Sequence, residues 1–456
     1  MRVAIIGNGM AANRLARQLG EAGISVTVYG EEPHRAYNRV LLSEYIGGGH
    51  ESSSLTLPSP PESHVAERRG ERVSSVDLDS RTVHGRSFDK LVFATGAVPF
   101  VPPVSGLDPR GERVSLLRSY DDAEKVRELG RRSNSALVLG GGLLGLEAAR
   151  GLSGQGLDVT VVHVGQHVLD RQVDPAGGAA IERTYADYGV STVCGVVASS
   201  VVETDRSVDV RLEDGRTVST DFMVVSCGVN PETTVADDAG LKVNRGIVVD
   251  DQCRTSNPDV YAVGDCAEHE GTVYGLVAPA WEQADVVARH ILADPDEPRF
   301  TPPASILRLK APGIDVAAMG RHHGGETVSF ADPENNTYAR LTVDDNRLVG
   351  AVLVGDNPSV GEVVELFDGG GPVPPDRRSL LLGRYHSPPS ASGDDDAVIC
   401  RCNNVARHEI RRACAEGART VDEVASATAA TTGCGTCRSE VAALCQSEPE
   451  NAGIPV

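Results

Sequence analysis

One short pattern, used twice, constrains this chain more than anything else in it. A strand-like Val3-Ala4-Ile5-Ile6 runs into Gly7-Asn8-Gly9-Met10-Ala11-Ala12 and a helix-forming Asn13–Glu21. The same order returns at Ala136-Leu137-Val138-Leu139, Gly140-Gly141-Gly142-Leu143-Leu144-Gly145 and a helix over Leu146–Ser153. In G-x-G-x-x-G/A the first glycine permits a tight turn and the second lets backbone approach a pyrophosphate. The third small residue lets helix and strand pack closely, and the helix N-terminus offers N–H groups to phosphate. Two such units predict two dinucleotide-binding α/β folds in one chain.

The two differ at the ribose end. The first second-strand, Ile24–Tyr29, ends at Gly30-Glu31-Glu32, about 20 residues past the glycines, where a carboxylate suits a ribose 2′-hydroxyl. The other, Asp158–Val162, ends at His163, with no acid before Asp170 and no adjoining arginine. The choice between NADH and NADPH is therefore left open, with NADH favoured. Two further segments bear on the arrangement. Leu91-Val92-Phe93-Ala94-Thr95-Gly96 reads as a buried strand closed by a small-residue turn. Asp259–Val263 followed by Gly264-Asp265 predicts a strand leading to a helix start, where the Asp265 carboxylate could bind a polyol.

Cysteine is the uneven part of the composition: ten residues, none before Cys194. Four are close-spaced, as Cys400-x-Cys402 and, after 31 intervening residues, Cys434-x2-Cys437, with glycines beside the second pair. Four thiolates on two loops can enclose one metal centre, a zinc ion or a [2Fe–2S] cluster. Cys414 and Cys445 fall at helical positions and read as small core residues. Before this segment, Ser387–Asp396 has the composition of a flexible acidic linker. Thr420-Val421-Asp422-Glu423 predicts a capping box.

The remaining composition excludes more than it proposes. With 43 basic and 64 acidic residues, the net charge of −21 argues against a phosphate-driven nucleic-acid partner. No apolar run approaches the ~18 residues of a membrane span, and the N-terminus lacks a signal-peptide pattern. A cytoplasmic protein with no membrane partner is expected.

Two dinucleotide folds, the Ala94-Thr95-Gly96 turn and Gly264-Asp265 together resemble the flavoprotein reductases in which an NAD(P) domain is inserted into an FAD domain. That resemblance implies an α/β fold with an FAD domain over 1–112 and 246–295 and an NAD(P) domain over 113–245. A small α+β domain over 300–384, a linker over 385–397 and a cluster domain over 398–446 complete the expected order. It implies that Gly7, Gly9, Met10, Ala11 and Ala12, with Glu31 or Glu32, hold the ADP half of FAD. Arg39, Ser43, Ala94, Thr95, Gly96, Gly264 and Asp265 belong to the rest of the FAD site, Asp265 at the ribityl chain. Gly140, Gly142, Leu143, Leu144, Gly145 and His163 take the nicotinamide nucleotide. Pro279 and Trp281 are expected beside the flavin, with core packing as the alternative for Trp281. Glu147 is expected to face the nicotinamide, with a helix-surface place as its alternative. Many relatives of this architecture reduce disulfides with a cysteine pair after the first unit; here that segment is Tyr37-Asn38-Arg39-Val40-Leu41-Leu42-Ser43. In ferredoxin-reductase relatives a lysine follows the serine, and here the position is Glu44.

The C-terminal segment resembles the bacterioferritin-associated-ferredoxin-like [2Fe–2S] domain, which implies cluster ligation by Cys400, Cys402, Cys434 and Cys437. Longer strings, among them Tyr37–Ser43, Arg171-Gln172-Val173-Asp174 and Tyr274–Gln283, look like the N-terminal half of the assimilatory NAD(P)H nitrite reductase large subunit. They are also similar to the electron-transfer subunit of assimilatory nitrate reductase. The resemblance implies hydride delivery from NAD(P)H to FAD, then passage of single electrons through the cluster to a nitrate (or nitrite) reductase catalytic subunit. Because the chain stops at Val456 without the sirohaem domains, nitrate reductase is the expected acceptor. A reductase for another acceptor and a redox-sensing module are the alternatives.

Overall fold

The computed structural model describes residues 1–296, 298–303, 306–357, 359–382, 398–400, 405–428, 430–431 and 437–447. Its centre is two five-stranded parallel sheets. The first runs in the order Val260–Ala262, Lys90–Phe93, Arg2–Ile6, Ser25–Gly30, Val65–Arg69. Its edge strand comes from more than 160 residues after its neighbour, and the second sheet is built by the chain in between. That second sheet runs Val190–Cys194, Asp158–His163, Ser135–Leu139, Phe222–Val225, Val114–Leu116. Strands covered on both faces read as unbroken apolar runs, which is why Val3–Ile6 and Ala136–Leu139 are buried throughout. This is the inserted two-dinucleotide-domain α/β fold.

The insertion leaves and returns through an antiparallel ribbon of Ala97–Pro99 and Val229–Pro231. Beyond residue 300 an antiparallel sheet runs Ile306–Ala311, Ile314–Gly320, Arg347–Val354, Thr337–Asp344, Glu326–Asp332. The edge strand Glu326–Asp332 is mostly exposed, with Val328 packed against the core of this sheet. This domain is fastened to the second unit at Asp174, the N-cap of the helix Pro175–Asp187. The buried Asp174 carboxylate accepts from Tyr338 Oη at 2.7 Å and Arg340 Nη1 at 3.1 Å.

The last segment pairs Val398–Cys400 with Val405–Ala406 and adds helices Arg407–Ala415, Val421–Thr428 and Arg438–Ser447. Gly417 ends the first helix at φ +117°. The Thr420–Glu423 capping box opens the second: Glu423 N–H donates to Thr420 Oγ1 at 3.2 Å and Thr420 N–H to Glu423 Oε2 at 3.0 Å. The expected linker over 385–397 lies outside the described residues. No helix among the described residues is long and apolar enough to cross a membrane.

Candidate functional site

Both glycine loops have the geometry their residues require. Gly7 sits at φ +110° and Gly140 at φ +120°, and a Cβ on either would fall onto a carbonyl oxygen of the neighbouring strand end, Ala94 or Ser226. Gly145 packs onto the Gly140 carbonyl, where a Cβ has no room. Gly9 and Gly142 are the N-caps of Met10–Glu21 and Leu143–Ser153, and a Cβ on either would meet nothing within 4 Å. Each helix N-terminus therefore presents bare backbone N–H groups, from Met10, Ala11 and Ala12 or from Leu143 and Leu144, to a ligand.

The acids after the first loop are separated by their partners. Glu31 is exposed and pairs with Arg72 at 2.7 Å. Glu32 turns inward to Arg39, and Tyr37 Oη donates to it at 2.7 Å. Burial pushes the Tyr37 phenol well above its ordinary range, so it stays a neutral donor. Arg39 in turn donates to the Arg118 carbonyl at 3.1 Å. Arg118 Nη2 reaches Asp265 Oδ2 at 2.7 Å, while its Nε holds the Ala97 carbonyl at 3.1 Å, beside the Ala94-Thr95-Gly96 turn. Arg118 was not a sequence candidate, because its partner lies 147 residues away.

Asp265 does not open a helix, as its sequence predicts. Gly264–Cys266 is a single 3-10 turn that leads directly into the strand Ala267–His269. Gly264, at φ +79°, takes the turn, and its N–H donates to Gln283 Oε1 at 2.8 Å. Gln283 belongs to the helix Val277–Ile291, which also carries Pro279 and Trp281, both buried. The Arg14 guanidinium lies 5.1 Å from the Trp281 ring, so the indole fills the seam between this helix and the first. Asn8 Nδ2, Gln283 Nε2 and Trp281 Nε1 are buried without a hydrogen-bond partner among the described residues. Bare loop N–H groups and orphaned donors around a carboxylate match a phosphate- and carbonyl-rich cofactor, so the residues present fit FAD.

The second loop ends differently. Gly141 N–H donates to His163 Nδ1 at 3.2 Å, which leaves the proton on Nε2, 3.1 Å from Asp170 Oδ1. The acid missing at the strand end is thus supplied seven residues later through the imidazole. Glu147 is not on the helix surface. It is buried and accepts from Ser43 Oγ at 2.7 Å, bridging the helix Leu42–Ile46 to the helix Leu143–Ser153. The two helices touch at Gly47 and Gly151, where a Cβ would meet the other backbone at about 3.1 Å.

Burial pushes the Cys227 thiol, beside the second loop, up to about 11. Burial and then the Glu182 carboxylate push Cys194 up to about 12. Neither is a thiolate at neutral pH, and neither is a reactive nucleophile. Of the four expected cluster ligands, Cys400 and Cys437 are buried in the small C-terminal core with Ile399, Val405, Ile410, Val424 and Val441. Cys402 and Cys434 lie outside the described residues. Cys400, at the end of the strand Val398–Cys400, Cys437, just before the helix Arg438–Ser447, and Cys414 are buried in the same small core, and thiol-rich surroundings of this kind suit a soft metal centre.

Comparison with known proteins agrees with this order of parts. Residues 1–284 match the pyridine nucleotide-disulphide oxidoreductases, 303–367 the rubredoxin NAD+ reductase C-terminal domain, and 398–447 the BFD-like [2Fe-2S] binding domain. The matched parts carry FAD and NAD(P)H in the reductase and a [2Fe–2S] cluster at the end. The NAD(P)H nitrite reductase of Bacillus subtilis (strain 168) is 32% identical over 98% of this chain and 57% of its own length. The assimilatory nitrate reductase electron transfer subunit of the same organism is 32% identical over 96% of this chain and 58% of its own. The chain thus spans little more than half the length of these relatives. Among solved structures, the putidaredoxin reductase–putidaredoxin complex superposes with a TM-score of 0.75 at 23% identity, over 84% of this chain and 98% of that one, a likeness of fold. With well over half of its length matched, the chain belongs to the pyridine nucleotide-disulphide oxidoreductase family.

Proposed function

We propose that this protein takes electrons from NAD(P)H through FAD to a [2Fe–2S] cluster and hands them to the catalytic subunit of an assimilatory nitrate reductase in the cytoplasm. The observation that carries the reading is the order of parts on one chain: two nucleotide loops, then a four-cysteine domain, with no cysteine pair beside the first loop. Bound flavin supplies the conversion of a two-electron hydride into single electrons. The chain's residues orient and insulate that exchange. Gly7, Gly9, Met10, Ala11 and Ala12 hold the pyrophosphate of FAD on the first helix N-terminus, with Glu31 or Glu32 near its ribose. Arg118 fixes the Asp265 carboxylate toward the ribityl chain, and Arg39 braces Arg118 from behind. Ala94, Thr95 and Gly96 form the turn beneath. Gly140, Gly142, Leu143, Leu144 and Gly145 hold the nicotinamide nucleotide, with His163 and Asp170 at its ribose. The buried Ser43–Glu147 bond ties the two units together at their seam. Cys400, Cys402, Cys434 and Cys437 hold the cluster.

Nitrite reduction is the second reading, favoured by the equal identity to a nitrite reductase. Purified protein with added nitrate or nitrite reductase catalytic subunit separates the two by which one accepts electrons from NADH. Cys437→Ala should keep NADH-driven dye reduction and lose delivery to the partner. Loss of both, with FAD still bound, would refute the order of transfer.

A further inference from the structure

The cluster domain holds a second pair of cysteines, outside the four expected ligands, and the fold brings them together. Cys414, at the end of the helix Arg407–Ala415, and Cys445, near the end of Arg438–Ser447, lie with their sulfurs 3.5 Å apart. Cys414 is fully buried, while Cys445 is partly exposed. Cys414 shares the small buried core with Cys400 and Cys437, while Cys445 is eight residues along its helix from Cys437, a rise of about 12 Å at about 1.5 Å per residue. No disulfide joins them in this structure. Their sulfurs need to close by about 1.5 Å to reach a bonding distance of ~2.05 Å.

We infer that Cys414 and Cys445 form a reversible modification site, a dithiol that peroxide converts to a disulfide. Cys445 is the entry point because it alone of the two is partly exposed. Attack of the Cys445 sulfur on hydrogen peroxide breaks the O–O bond, gives a sulfenic acid and releases water. Cys414, already in contact, displaces the sulfenic oxygen as a second water and forms the S–S bond. Two thiols and one peroxide thus become one disulfide and two waters, sulfur being oxidised and peroxide reduced. The bond closes a loop that contains Cys434 and Cys437. It therefore ties the segment bearing the second expected ligand pair to the helix that follows the first.

The test uses the full chain with its cofactors, treated with stoichiometric hydrogen peroxide, alkylated and cut with trypsin. Cleavage at Arg412, Arg419 and Arg438 separates the peptides of Cys414 and Cys445 from each other and from Cys400, Cys402, Cys434 and Cys437. The expected result is a linked Cys414–Cys445 peptide pair that dithiothreitol releases, formed while the visible cluster absorbance is retained. In Cys445→Ala, Cys414 should stay alkylatable at the same peroxide dose. A Cys445 sulfenic acid trapped by dimedone beside an alkylated Cys414, a disulfide joining either residue to a ligand cysteine, or equal oxidation of Cys414 in Cys445→Ala would each overturn the inference.

Discussion

The two glycine loops share a backbone and part at the ribose. In both, a glycine at high positive φ lies against the carbonyl of an adjacent strand end, and an N-cap glycine leaves the helix terminus uncovered. Past the second strand the first loop meets two carboxylates, one held by Arg72 and one by Tyr37 and Arg39. The second meets an imidazole that takes its acid from Asp170. Backbone geometry alone suffices to build a pyrophosphate cradle, so it repeats. What tells one nucleotide from another is placed by side chains outside the repeat, and there the two units are free to differ.

The strongest way to break this comparison is to fill each cradle in turn. Gly7→Val should yield protein without bound flavin, since its side chain collides with the Ala94 carbonyl. Gly140→Val should keep the flavin spectrum and lose kcat/KM for NADH by at least ~100-fold, about 2.7 kcal/mol. Flavin content by absorbance and steady-state dye reduction read the two separately, and equal flavin loss in both variants would show that the loops do not serve different nucleotides.

A smaller effect tests the seam between the units. Ser43→Ala removes the donor to the buried Glu147 carboxylate, and losing a buried hydrogen bond to a charged group costs about 1.5–3 kcal/mol. Thermal unfolding should fall by several degrees, and NADH-driven dye reduction should drop about tenfold while flavin content holds. An unchanged rate would reduce the bond to a structural tie.

The smallest expected effect lies at the second ribose. Asp170→Asn keeps a hydrogen-bond acceptor for His163 but removes the charge, and should raise KM for NADH by roughly 2–5-fold without moving kcat. The ratio of NADH to NADPH efficiency should shift toward NADPH. If neither changes, the His163–Asp170 pair supports the loop and reads no nucleotide.

Much of this was legible in the sequence because it is local. Each glycine loop is one strand, one turn and one helix, and its residues are neighbours in the chain. The Thr420–Glu423 box is four residues long and forms as expected. What stayed hidden joins residues far apart: Arg118 to Asp265, Ser43 to Glu147, Tyr338 and Arg340 to Asp174. No periodicity encodes such pairs. The mostly exposed strand Glu326–Asp332 was hidden for a different reason, since its apolar alternation is limited to Val328 and Phe330, and only Val328 packs on the core. The helix expected at Asp265 failed because Ala267–His269 finds a parallel partner in Ile247–Val249, and sheet pairing outweighs local helix preference.

The measurement that tests the account most directly is the anaerobic titration of the purified protein with NADH, followed by visible absorbance and low-temperature electron paramagnetic resonance. The account predicts that flavin absorbance bleaches and a reduced [2Fe–2S] signal then grows in, and that Cys437→Ala bleaches its flavin without that signal. Flavin bleaching with no cluster signal in the unaltered protein, together with zinc in place of iron by metal analysis, would contradict it.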